Sequence, residues 1–227
     1  MRTGLARGVA LALGLLAGLG AGSAAGHEAH GVAPEPPSAA APVLFEPPAP
    51  GSYELPPIDR VRDHALVDHR GRVTPFPALA PGQVAVVSFV YASCPQACPL
   101  ALATLQQLDR LLSERADLVP RVRLVTVSFD PGRDTPERMS TLRESLAPRS
   151  EWRFVTAPDA AALAPVLADY GQRVTRLVDP EGSDTGILQH VLKVFLVDEH
   201  REIRNVYSAG LMDARLVFND IQTVLSD

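Results

Sequence analysis

The chain of 227 residues is 46% hydrophobic and 21% charged, the balance of an ordinary globular core, and its length suits one domain with room for a leader. A net charge of −5, with no basic run and no stretch of interleaved aromatics and arginines, excludes nucleic acid as an expected partner. Only two cysteines occur, Cys94 and Cys98, four residues apart.

Residues 1–26 have a basic start at Arg2 and Arg7, an apolar centre from Val9 to Leu19, and small residues around Ser23, Ala25 and Gly26. This is the pattern of a cleaved secretory signal peptide. An uncleaved anchor is the alternative, because no charge interrupts residues 8–26 and roughly 18 apolar residues can span a bilayer. The cleavage region holds no cysteine, which argues against a lipid anchor. Either reading exports the remainder, with a bacterial periplasm as the expected location, so the membrane is met only through such an anchor. There a cysteine pair can keep a disulfide or bind a soft metal. Residues 27–57, rich in Pro, Ala and Gly, are expected to form a disordered, extended spacer that is dispensable for folding. His27, Glu28 and His30 at its start read as polar residues rather than metal ligands.

From residue 58 strand and helix signals alternate. HALVDHRGRVTPF (64–76) reads as a hairpin turning at Arg70-Gly71, and VAVVSFVYA (84–92) as a strand covered on both faces. PLALATLQQLDRLLSE (99–114) places Leu100, Leu105, Leu108 and Leu112 at helical spacing, and RVRLVTVSF (121–129) is a second buried strand. Asp134, with Glu137 three residues on, predicts the capping box of a helix running to about Leu146. WRFVTA (152–157) is a strand, and DAAALAPVLADYG (159–171) a helix that Pro165 should kink or delay. A polar loop is expected from Asp179 to Gly186. HVLKVFLVD (190–198) and EIRNVYSAG (202–210) pair around a turn near Glu199-His200, and DARLVFNDIQTVL (213–225) closes the chain as an amphipathic helix. No internal repeat is present. The order predicts an α/β fold over residues 58–227, a thioredoxin-like three-layer sandwich with a mixed central sheet.

Each cysteine is followed by a proline, and the pair falls between a central strand and the helix after it, where ligands of open α/β sheets gather. Pro99 suits the first helical position. That puts Cys98 at or near the cap, where the partial positive charge of a helix N-terminus favours a thiolate. The spacing allows a disulfide or a shared metal. A purely structural disulfide would close too short a loop to stabilise the fold much, so the position favours a chemical role. Of the histidines, His64, His69 and His200 sit at turns and read as surface residues. His190 stands near the strand entrance where a thioredoxin-like oxidoreductase would place a cis-proline facing its cysteines, and no proline follows Pro180. A zinc hydrolase is disfavoured, since no Glu or Asp is obviously placed to serve as general base.

Three stretches carry a family resemblance. SFVYASCPQACPLAL resembles the strand-CPxxCP-helix segment of the Sco/SenC family of copper-binding proteins that assist cytochrome c oxidase assembly. VTVSFDPGRDTPERM resembles that family's strand-DPxRDTP-helix segment, and QHVLKVFLVD its His-before-strand segment. The likeness keeps the same order and runs from about Tyr53 to the C-terminus. It implies that Cys94, Cys98 and His190 ligate copper, and that Cys94 and Cys98 are also a redox-active pair cycling between dithiol and disulfide. Thiolates favour Cu(I), an imidazole helps a site hold Cu(II), and three ligands leave a side open to a partner's ligands. Asp130 and Asp134 match acidic positions of the motif and read as turn and helix-cap residues. Gln96 and Gln189 replace acids common in relatives, which bears on affinity and redox potential. The implied role is a copper metallochaperone. Its partners would be the copper-site subunit of a terminal oxidase and a thioredoxin-like reductant. A periplasmic thiol–disulfide oxidoreductase acting on the target's cysteines, or a copper or redox sensor, remains open, because the same two thiols serve all three.

Overall fold

The computed structural model describes residues 45–94 and 97–226. The expected leader, the first part of the expected spacer with His27, Glu28 and His30, and Gln96 lie outside the described residues. No helix among the described residues is long and apolar enough to cross a membrane.

Two strands set the architecture. β4 (Val84–Val90) and β5 (Val122–Ser128) are buried at every position, as uninterrupted β-branched and apolar runs require when both sheet faces are covered. They pair in parallel from Val84↔Val122 to Val90↔Ser128, joined through α1 (Ala97–Ser113). α1 buries Ala101, Leu102, Leu105, Leu108 and Leu112 along one stripe. β5 continues in parallel to β6 (Trp152–Thr156) through α2 (Pro136–Leu146). On the other side β4 meets β9 (Lys193–Val197) antiparallel, followed by β10 (Glu202–Ser208) and the short β1 (Asp59–Arg60). β2 (His64–Asp68) and β3 (Val73–Phe76) extend the sheet beyond β6, giving the order β1-β10-β9-β4-β5-β6-β2-β3. α3 (Ala160–Asp169) follows β6, and α4 (Ala214–Val224) packs on α1. The expected α/β sandwich with a mixed central sheet is present.

The elements differ from expectation at four places. α1 starts at Ala97 rather than Pro99; proline fits any position of a first turn, whose N–H groups have no acceptor within the helix. α2 is capped by Thr135, whose Oγ1 accepts from the Arg138 N–H at 3.4 Å, and not by Asp134, whose carboxylate is engaged elsewhere. Pro165 does not delay α3, because Asp159 caps it and accepts the Ala162 N–H at 2.8 Å. The polar loop is the turn of a hairpin, β7 (Val174–Val178) with β8 (Asp184–His190), which forms a two-stranded sheet of its own. Asp179 accepts the Ser183 N–H at 2.7 Å in that turn, and Gly182 supplies its positive φ of 85°.

The spacer boundary also moves. Residues 45–57 dock on the domain instead of standing free of it. The Gly51 N–H donates to Thr223 Oγ1 at 2.9 Å, Arg204 Nε to the Leu55 carbonyl at 2.5 Å, and Leu55 packs against the core. The Tyr53 hydroxyl donates to Asp220, a buried carboxylate of α4 that also accepts from Asn205 Nδ2 at 2.8 Å and the Tyr207 hydroxyl at 2.6 Å. Burial, and then the Asp220 carboxylate, push the Tyr53 hydroxyl up to about 12. Tyr53→Phe is expected to cost about 1–2 kcal/mol in urea unfolding, because it leaves part of a buried carboxylate without its donor. An unchanged midpoint would show that the segment does not pack in solution.

Candidate functional site

The cysteines sit where β4 runs out. The Cys94 N–H turns back to the Tyr91 carbonyl at 3.1 Å, and Cys98 lies in the first turn of α1 with only 2% of its surface exposed. Cys94 is half-buried, and its Sγ accepts the Cys98 N–H at 3.4 Å. The amide at the start of α1 therefore points at Cys94. This corrects the expectation that Cys98 is the sulfur served by the helix N-terminus. Burial pushes the Cys98 thiol far up, and Cys94 within hydrogen-bonding reach pushes it further, while the Tyr91 backbone draws it back. The two sulfurs are not joined. A cleft of about 240 Å3, lined by Tyr91, Cys94, Cys98, Leu102, Gln106 and Leu142 among others, opens beside them.

His190 is the last residue of β8, opposite Val174, rather than a residue opening the next strand. Its ring packs on Phe129 at 4.3 Å between centroids, and edge-on to Tyr91 at 6.0 Å. Burial lowers the His190 pKa, with the Val191 backbone opposing, so the imidazole is neutral near pH 7. Its Nδ1 is buried and has no hydrogen-bond partner among the described residues. Tyr91 stands between the two halves of the site. Burial raises its hydroxyl pKa, the Cys94 charge raises it further, and the Leu188 backbone, two residues before His190, lowers it. Among the described residues no three His, Cys, Asp or Glu stand close enough together to hold a metal ion. The thiol pair and His190 thus share the Tyr91 wall without closing into one cluster. The donor chemistry still suits copper, with two soft sulfurs side by side and a buried, unpartnered imidazole nitrogen across one aromatic ring.

The DPGRDTP stretch holds both halves. Asp134 is fully buried, and its Oδ2 accepts from the Ala92 N–H at 2.9 Å and from Ser128 Oγ at 2.6 Å. It pins the loop entering Cys94 and caps no helix, which corrects half of the expected pairing of roles. Asp130 keeps its turn role, its carbonyl accepting the Arg133 and Asp134 N–H groups at 3.0 and 2.8 Å. Its buried carboxylate also meets Arg176 of β7 at 3.1 Å. Tyr91, Phe129 and Arg176 carried no sequence signal of a site role, since two read as strand core and one lay next to a presumed loop. The other described histidines stay apart. His64 is not a surface residue but a largely buried one, with Nε2 2.8 Å from Asp169. His69 is half-buried beside β6, and His200 is exposed at the β9–β10 turn.

Known proteins share this architecture. The chain resembles the bovine (Bos taurus) mitochondrial protein called SCO2 homolog, with 31% identity over 147 residues, 64% of this chain, and it spans about half (53%) of that relative's length. The crystal structure of Arabidopsis thaliana ScoI with copper bound superposes with a TM-score of 0.62 at 16% identity, over 73% of this chain and 98% of that one. BsSco, described as a member of the Sco family of cytochrome c oxidase assembly proteins with a disulfide switch, superposes with a TM-score of 0.59 at 20% identity, over 75% of this chain and 96% of that one. At those identities the structures share the fold alone. The SCO1/SenC family profile matches residues 55–226, starting where Leu55 docks on the core and taking in both cysteines, the DPGRDTP turn and His190, so the chain belongs to the SCO1/SenC family.

Proposed function

We propose that this protein is a copper metallochaperone that holds copper through Cys94, Cys98 and His190 and assists maturation of the copper site of a terminal oxidase. The observation that carries the reading is the thiol pair at the start of α1, with the Cys98 N–H on Cys94 Sγ and the buried nitrogen of His190 beyond the Tyr91 ring. Family membership supports it, as do the copper bound by a protein of the same fold and the oxidase-assembly role stated for another. Cys94 and Cys98 supply soft ligation for Cu(I), and His190 adds the nitrogen that Cu(II) requires. The half-buried side of Cys94 and the cleft beside it leave a face for the partner, a copper-site oxidase subunit. The exported, periplasmic location and a thioredoxin-like reductant for the cysteines belong to the same reading.

One observation favours a second reading, a thiol–disulfide oxidoreductase. Cys94 is accessible and served by a helix amide, while Cys98 is buried with its thiol held protonated, the asymmetry of an attacking and a resolving cysteine. Titration with Cu(I) against a competing chelator tests the first reading. The reduced chain is expected to take up one equivalent and the disulfide form none, since the disulfide removes both thiolates. Equal uptake by the oxidised chain would remove the cysteines from the site.

A further inference from the structure

We propose that a closed ring of two arginines and two aspartates positions His190, and that it governs copper retention through that imidazole alone; this rests on the reading of His190 as a ligand. Arg133 meets Asp130 at 3.3 Å through Nη1 and Asp184 at 2.6 Å through Nη2. Arg176 closes the ring, reaching the same Asp184 oxygen at 2.9 Å and Asp130 at 3.1 Å. Asp130 and Arg133 belong to the DPGRDTP turn on the body of the domain. Arg176 and Asp184 belong to the hairpin whose last residue is His190.

The hairpin needs such a tie. It is a separate two-stranded sheet, so among the described residues no strand ladder fastens it to the eight-stranded one. Arg133 adds a bond from Nη1 to the Gly186 carbonyl at 2.9 Å. Gly186 has a φ of 76°, and a Cβ placed there would meet Arg133 Nη1 at 3.1 Å, so a glycine is what lets the guanidinium come this close. An isolated pair of half-exposed charges would contribute little. Asp130, however, is 1% exposed, and loss of either arginine strips a partner from a charge held inside the protein. Each guanidinium spans two carboxylates, a geometry that a lysine ammonium cannot reproduce. The cysteine loop has its own tie, Asp134 to the Ala92 N–H, so loosening the ring should move His190 and leave the thiols in place.

The test is Arg176→Met in the full chain. Without copper, amide exchange should quicken across residues 174–190 and stay unchanged in β4 and β5. Loaded with Cu(II), the variant should release it about tenfold faster, the lower end of what losing a ligand-orienting group costs, and Arg176→Lys should recover only part. On a His190→Ala background, Arg176→Met should add nothing further, because both changes act at one nitrogen. An equal additional loss on that background, or Cu(II) release and exchange both unchanged in the single variant, would overturn the proposal. If His190→Ala alone leaves Cu(II) release unchanged, the ligand reading has failed, and exchange in Arg176→Met decides whether the ring still positions the hairpin.

Discussion

Cys98→Ser and Cys94→Ser should each weaken Cu(I) binding by more than the roughly 10–100-fold that removal of an outer partner of a metal site costs, since each would take away one of the proposed ligands. The two variants should differ in how they reach that result. Cys98 is buried in the first turn of α1, so a serine hydroxyl there also pays for burial, about 1–3 kcal/mol unless it finds an acceptor. Cys94 is half-buried, and its serine should leave the melting temperature close to that of the parent. Wild-type affinity should depend on pH with a definite sign. The Cys98 thiol is pushed far above its ordinary range by burial and by Cys94, so it is protonated across neutral pH and, as a proposed ligand, would have to release that proton to bind Cu(I). Each proton released makes the apparent affinity rise tenfold per pH unit, and the rise continues for as long as the pH stays below the thiol's raised value. A competition titration at several pH values between about 6 and 8 reads the slope directly. A flat profile would mean that no thiol proton is displaced and that Cys98 is not a ligand.

The parts of the fold that sequence reveals are those whose cause is local. VAVVSFV and VRLVTVS bury both faces and say so in every residue. Of the four leucines read at helical spacing in α1, Leu105, Leu108 and Leu112 are buried, while Leu100 lies exposed near the helix start, which was misplaced by two residues. The β7–β8 hairpin was hidden for the opposite reason. Most of its residues are exposed, so it shows neither an apolar run nor a clean alternation, and Arg133 and Asp184 meet across 51 residues of chain. Residues 45–57 looked like a free spacer because their anchors are few and their partners far away, as with Tyr53 and Asp220, 167 residues apart. At the site, the spacing of Cys94 and Cys98 marked a pair held together at the start of α1, but not which sulfur the helix amide would serve. That follows from a start at Ala97, which turns Cys98 inward against Tyr91 and leaves Cys94 to receive the N–H. Asp134 was legible as an acid near a helix start. Its service to the cysteine loop depends on β5 lying beside β4, a register that only the folded sheet supplies.

His190→Ala separates delivery of copper from reduction of a partner. The substitution leaves Cys94 and Cys98 where the turn and α1 hold them, so the disulfide should still form and be reduced at near-parental rates. It removes the sole nitrogen of the proposed ligand set, and two thiolates alone hold Cu(II) poorly, so Cu(II) binding should fall by two orders of magnitude or more while Cu(I) binding falls less. The imidazole packs on Phe129 at 4.3 Å, so its removal also leaves a small void. His190→Phe fills that void without restoring a nitrogen, and should show the same loss of Cu(II) with less loss of stability. In a strain lacking the gene, complemented under limiting copper, a delivery protein would fail with His190→Ala as completely as with Cys94→Ser. A thiol reductant would instead keep most of its activity with His190→Ala and lose it with either cysteine variant. Oxidase activity of the complemented strains is the measurement. Retention of Cu(II) by both His190 variants at parental affinity would confine the site to the two sulfurs and leave the reductant as the surviving reading.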